Sequence, residues 1–244
     1  MDGLVYLTGT RMVGLTDQLQ VIATNLANAN TAGFKGTTGR FSAAVAVAGP
    51  QYLGDTSQGG MAPTWPEFSG LRVDLSQGPI RKTDRPLDLA ISGKAFFVVE
   101  TPEGPRYTRK GRFHLSATGE VTDGAGNALG TESGALRIPA GTNEIVIGRD
   151  GQVSAGERGV GRIRLVDIPE PAALVSQGEV SFRNDGPEAV PAAGSEVIQG
   201  AVEESNVNSV REMISLITVL RAYEAEAHIA RRVDSSHNEL IKSA

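Results

Sequence analysis

Six carboxylates, Asp84, Asp88, Glu100, Glu103, Asp123 and Asp150, are the side chains whose type and spacing come nearest to chemistry. Two of them facing one another could act as general acid and general base on a glycosidic bond. Several stand in turn contexts such as Asp123-Gly124 and Asp150-Gly151, where a carboxylate serves local backbone hydrogen bonding. The three histidines, His114, His228 and His237, share no metal-binding spacing and read as surface or interface residues. Gly156, Gly159 and Gly161 are not in the dinucleotide-binding order and precede a strand pattern instead of opening a helix. The chain contains no cysteine, no Gly-x-Ser-x-Gly elbow and no phosphate loop ending in Gly-Lys-Ser or Gly-Lys-Thr. Arg106, Arg109, Lys110 and Arg112 form a basic cluster that reads first as a solvated strand face and second as a contact for an acidic neighbour. These residues predict no enzyme, no cofactor and no metal.

Composition points the same way. With 244 residues, 40% of them hydrophobic, the chain can bury a sizeable core. Aromatics at 5% and a total of 30 glycines suit turns and closely approaching backbones more than an aromatic-walled ligand pocket. A net charge of -5 supplies no field to attract a phosphate backbone, so nucleic acid is not an expected partner. No run approaches the roughly 18 to 20 apolar residues of a membrane span. Asp2 stands where a secretory signal would carry positive charge, so neither a span nor a cleavable signal is expected.

The elements that must position any site are clearest at the two ends. Val5, Met12, Leu15, Leu19, Ile22 and Leu26 recur at alternating steps of three and four, with Thr8 at the one polar position, which is a heptad seam. Met213, Leu216, Leu220, Tyr223, Ala227 and Ala230 repeat the spacing, and Ile214, Ile217, Val219 and Ile229 widen the apolar surface. Helices are predicted from about residue 3 to about 30 and from about 209 to 240, the second opened by Asn208 or by a Ser209/Glu212 capping box. After the first, Gly33 and Phe34 can be read as a helix-ending Schellman pair or as part of a recognition segment.

Between the helices the pattern changes. Residues 41–70 are rich in glycine and proline without periodicity, and predict an irregular excursion with one short strand at Ala43 to Ala48 and Trp65 pinned to the core. From Leu71 to Asp167 short strands and turns alternate: Leu71 to Leu75 and Leu87 to Ile91 as half-buried strands, Phe96 to Val99 as a central one, Tyr107 to Phe113 as its return. Residues 169–204 read as an extended return path. The resulting fold class is α+β: a discontinuous, coiled-coil-like helical domain of residues 1–35 plus 205–244, a linker of 36–70, and a β-rich domain of 71–204.

The block Asn25-Leu26-Ala27-Asn28-Ala29-Asn30-Thr31-Ala32-Gly33-Phe34-Lys35 resembles the N-terminal signature of the bacterial flagellar rod and hook protein family. Leu87 to Gly93 with Phe96-Phe97, Tyr107 to Phe113, Ser205-Asn206-Val207-Asn208 and Arg221 to Ala225 are similar to further motifs of that family, in the family's order. The resemblance implies a structural subunit of the basal-body rod, more like the proximal than the distal rod, that crosses the periplasm as part of a torque-transmitting shaft. It implies assembly through Asn25, Asn28, Thr31, Gly33, Phe34 and Lys35 with the first seam, and through Asn206, Asn208, Met213, Leu216, Ile217, Leu220, Tyr223 and Ala227. Implied partners are the rod proteins FlgB, FlgC and FlgG, further copies of the chain, and the flagellar export apparatus. A wall-cleaving enzyme using Asp84, Asp88 and Asp150, and a transient assembly adaptor, are the competing readings. The domain division further predicts a β-core that stays folded without residues 1–35 or 210–244.

Overall fold

The computed structural model describes the backbone of residues 2–45, 64–142, 144–178 and 180–243, and the side chains of 9–39, 70–142, 144–178 and 180–232. Expectations for Val5, His237 and Trp65 side chains and for residues 46–63 lie outside those described. The architecture is α+β, with helix α1 over Asp2–Ala27, helix α2 over Ser209–Ser243, and strands between them. The chain divides into two compact units: residues 1–26, 37–72 and 209–244 form unit 1, and residues 27–36 with 73–208 form unit 2.

In unit 1, α1 ends at Ala27, earlier than the composition suggests. Asn25 replaces the missing backbone partner: its side chain donates to the Thr37 carbonyl at 2.8 Å and accepts from the Thr37 amide at 2.9 Å. Thr37 opens the strand Thr37–Val45, which pairs with Thr64–Val73 in a two-stranded sheet. The expected irregular excursion is therefore corrected at both ends. Its alanines and glycines show no alternation, yet ladder bonds need only backbone groups. On α1, Met12, Leu15, Leu19 and Leu26 are half-buried and Ile22 is buried, while Val13 faces outward at 63% exposure.

Unit 2 is built around the strand Phe96–Thr101, whose continuous apolar run serves two cores at once. Phe97 and Val99 pack with Leu89, Phe113, Leu129 and Val197, while Phe96 and Val98 pack with Val166, Leu174 and Phe182. That is the period-2 alternation of a strand covered on both faces. Edge-to-face contacts join Phe97 to Phe113 at 5.5 Å and Phe96 to Phe182 at 6.1 Å. The main sheet among the described residues has ten strands, with Phe96–Thr101 between Gly104–Thr108 and Ala128–Thr131. A separate three-stranded sheet joins Ile145–Ile147, Gln152–Ala155 and Arg158–Arg162.

Two expectations for this unit are revised. Leu87 to Ile91 is not half-exposed: Asp88, Leu89, Ala90 and Ile91 are all buried, with Leu89 and Ile91 in the main core and a second strand hydrogen-bonded alongside. That strand, Glu196–Gln199, pairs with Leu89–Ser92, and Ala201–Glu203 pairs with Ile80–Lys82. Residues 169–204 are accordingly a set of short strands and not a plain return path. Their two- to four-residue runs are too short for periodicity to show, and the partners of the last two lie over a hundred residues earlier.

Candidate functional site

The segment after α1 folds inward. Its turn is held by Thr31, which donates its amide to the Asn28 carbonyl and its hydroxyl to Asn28 Oδ1, both at 3.0 Å. Gly33 follows with φ +73 and donates its amide to the Glu203 carbonyl at 2.8 Å. A Cβ on Gly33 would lie 2.3 Å from the Lys110 nitrogen and 2.5 Å from the Arg109 carbonyl carbon. Glycine is thus required twice, by conformation and by backbone contact. This replaces the Schellman reading, since α1 ends six residues before Gly33.

Phe34 and Lys35 are buried behind it. Lys35 Nζ donates to Glu203 Oε1 at 2.6 Å and to the Ser76 carbonyl at 2.6 Å, with both charged side chains fully excluded from solvent. Glu203 Oε1 also accepts the Gly78 amide at 2.8 Å, and Oε2 accepts Arg109 Nη1 at 3.3 Å. Arg109 donates from Nη2 to the Gly93 carbonyl at 2.9 Å and sits 4.9 Å over the Phe96 ring. Burial holds Lys35 and Arg109 below their ordinary pKa values, against the opposing pull of Glu203. Arg109 is therefore no part of a solvated basic face. Arg106 pairs with Glu103, and Arg112 stays exposed.

Asn206 completes the knot. Its Oδ1 accepts the Gly36 amide at 2.8 Å, and its Nδ2 donates to the Asp74 carbonyl at 2.8 Å and to Ser76. Asp74 in turn donates its amide to the Gly36 carbonyl at 2.7 Å. Gly36, Asp74 and Asn206 lie within two residues of the positions where the sequence passes between units. The knot thus ties together the strands of chain that leave unit 2. Its chemistry is structural, since every charged group in it is committed to another.

Of the candidate catalytic carboxylates, Asp84, Glu103, Asp123 and Asp150 are engaged locally, while buried Asp88 faces Arg85 at 4.0 Å and its Oδ1 accepts no hydrogen bond. Asp150 pairs with Arg162 at 2.7 Å, which holds its carboxyl below the usual range, and Asp84 pairs with Lys82 at 2.8 Å. Asp123 accepts the Ala125 and Asn127 amides as a turn residue. Among the described residues no group of three or more histidines, cysteines or carboxylates is arranged to hold a metal ion, and no helix is long and apolar enough to cross a membrane.

Three family models match in chain order: flagella basal body rod protein over residues 12–35, the flagellar hook protein FlgE/F/G D1 domain over 90–155, and the flagellar basal body rod FlgEFG protein C-terminal region over 198–242. The flagellar basal-body rod protein FlgF of Caulobacter vibrioides is 35% identical over 100% of this chain and 97% of its own length. The chain belongs to the flagellar basal-body rod protein family. FlgF of Rhizobium meliloti is 32% identical over 98% of this chain, and FlgG of Buchnera aphidicola subsp. Schizaphis graminum is 32% identical over 84%. Among rod proteins this chain is therefore most like FlgF.

The rod-protein signature residues fall into two groups. Asn25, Asn28, Gly33, Phe34 and Lys35 are buried; within the chain the polar side chains among them are taken up by backbone and ionic partners. On α2, Leu216, Tyr223 and Ala227 are half-buried, and Val219 and Glu226 are buried. Glu226 takes an ion pair from Arg11 of α1 at 3.0 Å. Asn208 is exposed, and Met213, Ile217 and Leu220 face outward at 46%, 52% and 41%, joined by Val210 at 63% and Ile214 at 61%. The wide apolar surface expected on α2 thus divides in two: a partly polar inner line and an apolar outer stripe. Residues missed from sequence are Glu203, Glu226 and Gly78. An acidic pair directly after Ala201-Val202 was the available signal for Glu203.

Proposed function

We propose that this chain is a structural subunit of the bacterial flagellar rod, of the proximal FlgF type, which acts by geometry and without a catalytic group. The observation that carries this is the collinear match to FlgF along the whole chain. Heterologous contacts between copies generate helical shafts when the rotation does not close. The outer stripe of α2, Val210, Met213, Ile214, Ile217 and Leu220, supplies the surface for such contacts, with Leu15, Leu19 and Leu216 supporting it from the half-buried side. Its partners are other rod proteins, FlgB, FlgC and FlgG, and further copies of the chain. Delivery through the flagellum's own export apparatus into the periplasm-crossing rod is part of this reading.

The test is Ile217→Glu in the full chain. Because Ile217 is solvent-facing, monomer stability should change by no more than about 0.5 kcal/mol. Incorporation into detergent-washed basal bodies, read by immunoblot, and motility should both fall at least about tenfold. An unaffected incorporation refutes the role of the α2 stripe, and recovery of the wild-type chain only in the soluble fraction refutes the assignment.

A further inference from the structure

We propose that residues 28–36, the Asp74–Gly78 turn and the return 196–206 lock together in one late folding step, so that the block after α1 stays unlocked until Glu203 and Asn206 have joined. Sequence separation argues for lateness. Lys35 meets Glu203 across 168 residues and Gly36 meets Asn206 across 170, and loop closure over such distances precedes any return from the contact. The strands Phe96–Thr101 and Gly104–Thr108, by contrast, are joined by a short turn and can pair as soon as they exist.

Charge argues for a single step. Lys35, Arg109 and Glu203 are each 2% exposed or less. None can be buried alone without an uncompensated charge in the interior, so partial closure has no stable form. Backbone packing adds to this. A Cβ on Gly78 would lie 2.2 Å from the Glu204 carbonyl oxygen, and one on Gly33 2.3 Å from the Lys110 nitrogen. These surfaces meet directly, with no side chain between them to make an intermediate contact. The two strand pairs Leu89–Ser92 with Glu196–Gln199 and Ile80–Lys82 with Ala201–Glu203 close across the same gap.

A chain delivered N-terminus first therefore keeps its signature block open until its last β-strands arrive. Its value for export rests on the proposed function, whereas the order of locking is a property of the monomer and is tested on it. Pulse-labelled hydrogen exchange during refolding of the full chain should show the Gly33, Gly36, Gly78 and Glu204 amides gaining protection in one phase. That phase should be at least about tenfold slower than protection of the Phe96–Thr108 hairpin. Protection of Gly33 and Gly36 together with the hairpin, or in a different phase from Gly78 and Glu204, overturns the proposal. In full-length Lys35→Met, the four amides should lose native-state protection together while the hairpin keeps its own, and unfolding should accelerate with the folding rate within about twofold. Uniform loss through unit 2, no loss at the four amides, or folding slowed tenfold overturns it equally.

Discussion

Replacing Glu203 with glutamine changes one charge and almost no volume at a side chain with no solvent exposure. The carboxylate takes Lys35 at 2.6 Å and the Gly78 amide at 2.8 Å on one oxygen, and Arg109 at 3.3 Å on the other. A glutamine oxygen can keep the first two, but its NH2 then faces the Arg109 guanidinium, donor against donor. Two buried cations lose the carboxylate that they share. Removing one partner of a buried ion pair costs about 3 to 5 kcal/mol, a large part of a typical domain stability of about 5 to 15 kcal/mol. Lys35→Met should be milder, about 1.5 to 3 kcal/mol, since Glu203 keeps Arg109 and Gly78 and the cost of burying the ammonium disappears with it. Glu204→Gln is the control: it pairs with Arg81 at the surface, with both side chains about half exposed, and should change stability by less than about 0.5 kcal/mol. Urea unfolding of the full chain, followed by circular dichroism with the slope checked for constancy, measures all three. A cost for Glu203→Gln below that of Lys35→Met, or equal midpoint shifts for Glu203→Gln and Glu204→Gln, refutes a carboxylate shared by two buried cations.

Other perturbations test neighbouring parts of the same account. Gly33→Ala combines the left-handed conformation with overlap on the Arg109–Lys110 backbone, and should cost about 2 to 5 kcal/mol; a urea midpoint within error of wild type would refute the packing described. Asn206→Ala removes the bonds to Gly36, Asp74 and Ser76, and should cost about 1 to 3 kcal/mol with exchange of the Gly36 amide accelerated; an unchanged Gly36 rate would show that another group holds it. For pH, burial lowers Lys35 from 10.5, so between its folded value and 10.5 the unfolded chain binds more protons and stability rises with pH. Tyr107 acts oppositely: burial raises it from 10.0, so above that pH the folded chain retains the proton longer and stability falls. The urea midpoint should thus climb on the alkaline side below pH 10, flatten as Tyr107 begins to oppose Lys35 and turn down beyond 10.5, with the climb absent in Lys35→Met. A climb that survives in that variant assigns it to another group.

The division of the chain shows which features sequence can carry. The seam Met12, Leu15, Leu19, Ile22 and Leu26 was readable because a helix repeats its contacts every three or four residues, and the buried side follows that repeat. The Phe96 to Val99 strand was readable because an uninterrupted apolar run must be covered on both faces. Strands such as Ala201–Glu203 were not, since three residues hold no period and their partner is Ile80–Lys82.

The boundary expected at residue 35 falls between Lys35 and the chain that follows, and residues 27–36 group with the β unit. A truncation that removes residues 1–35 would take Lys35 from Glu203, so the core is better tested with residue 27 onward retained. By itself the sequence determined the two helices, the β-rich middle and, through its ordered motifs, the rod family, because these rest on local repeats and contiguous signatures. Tertiary structure alone decided that Lys35, Arg109 and Glu203 form one buried cluster, that Gly33 answers to the backbone of residues 109 and 110, and which face of α2 remains apolar and exposed. Those outcomes depend on residues brought together across up to 170 positions, and no local pattern records which distant charge a buried lysine will meet.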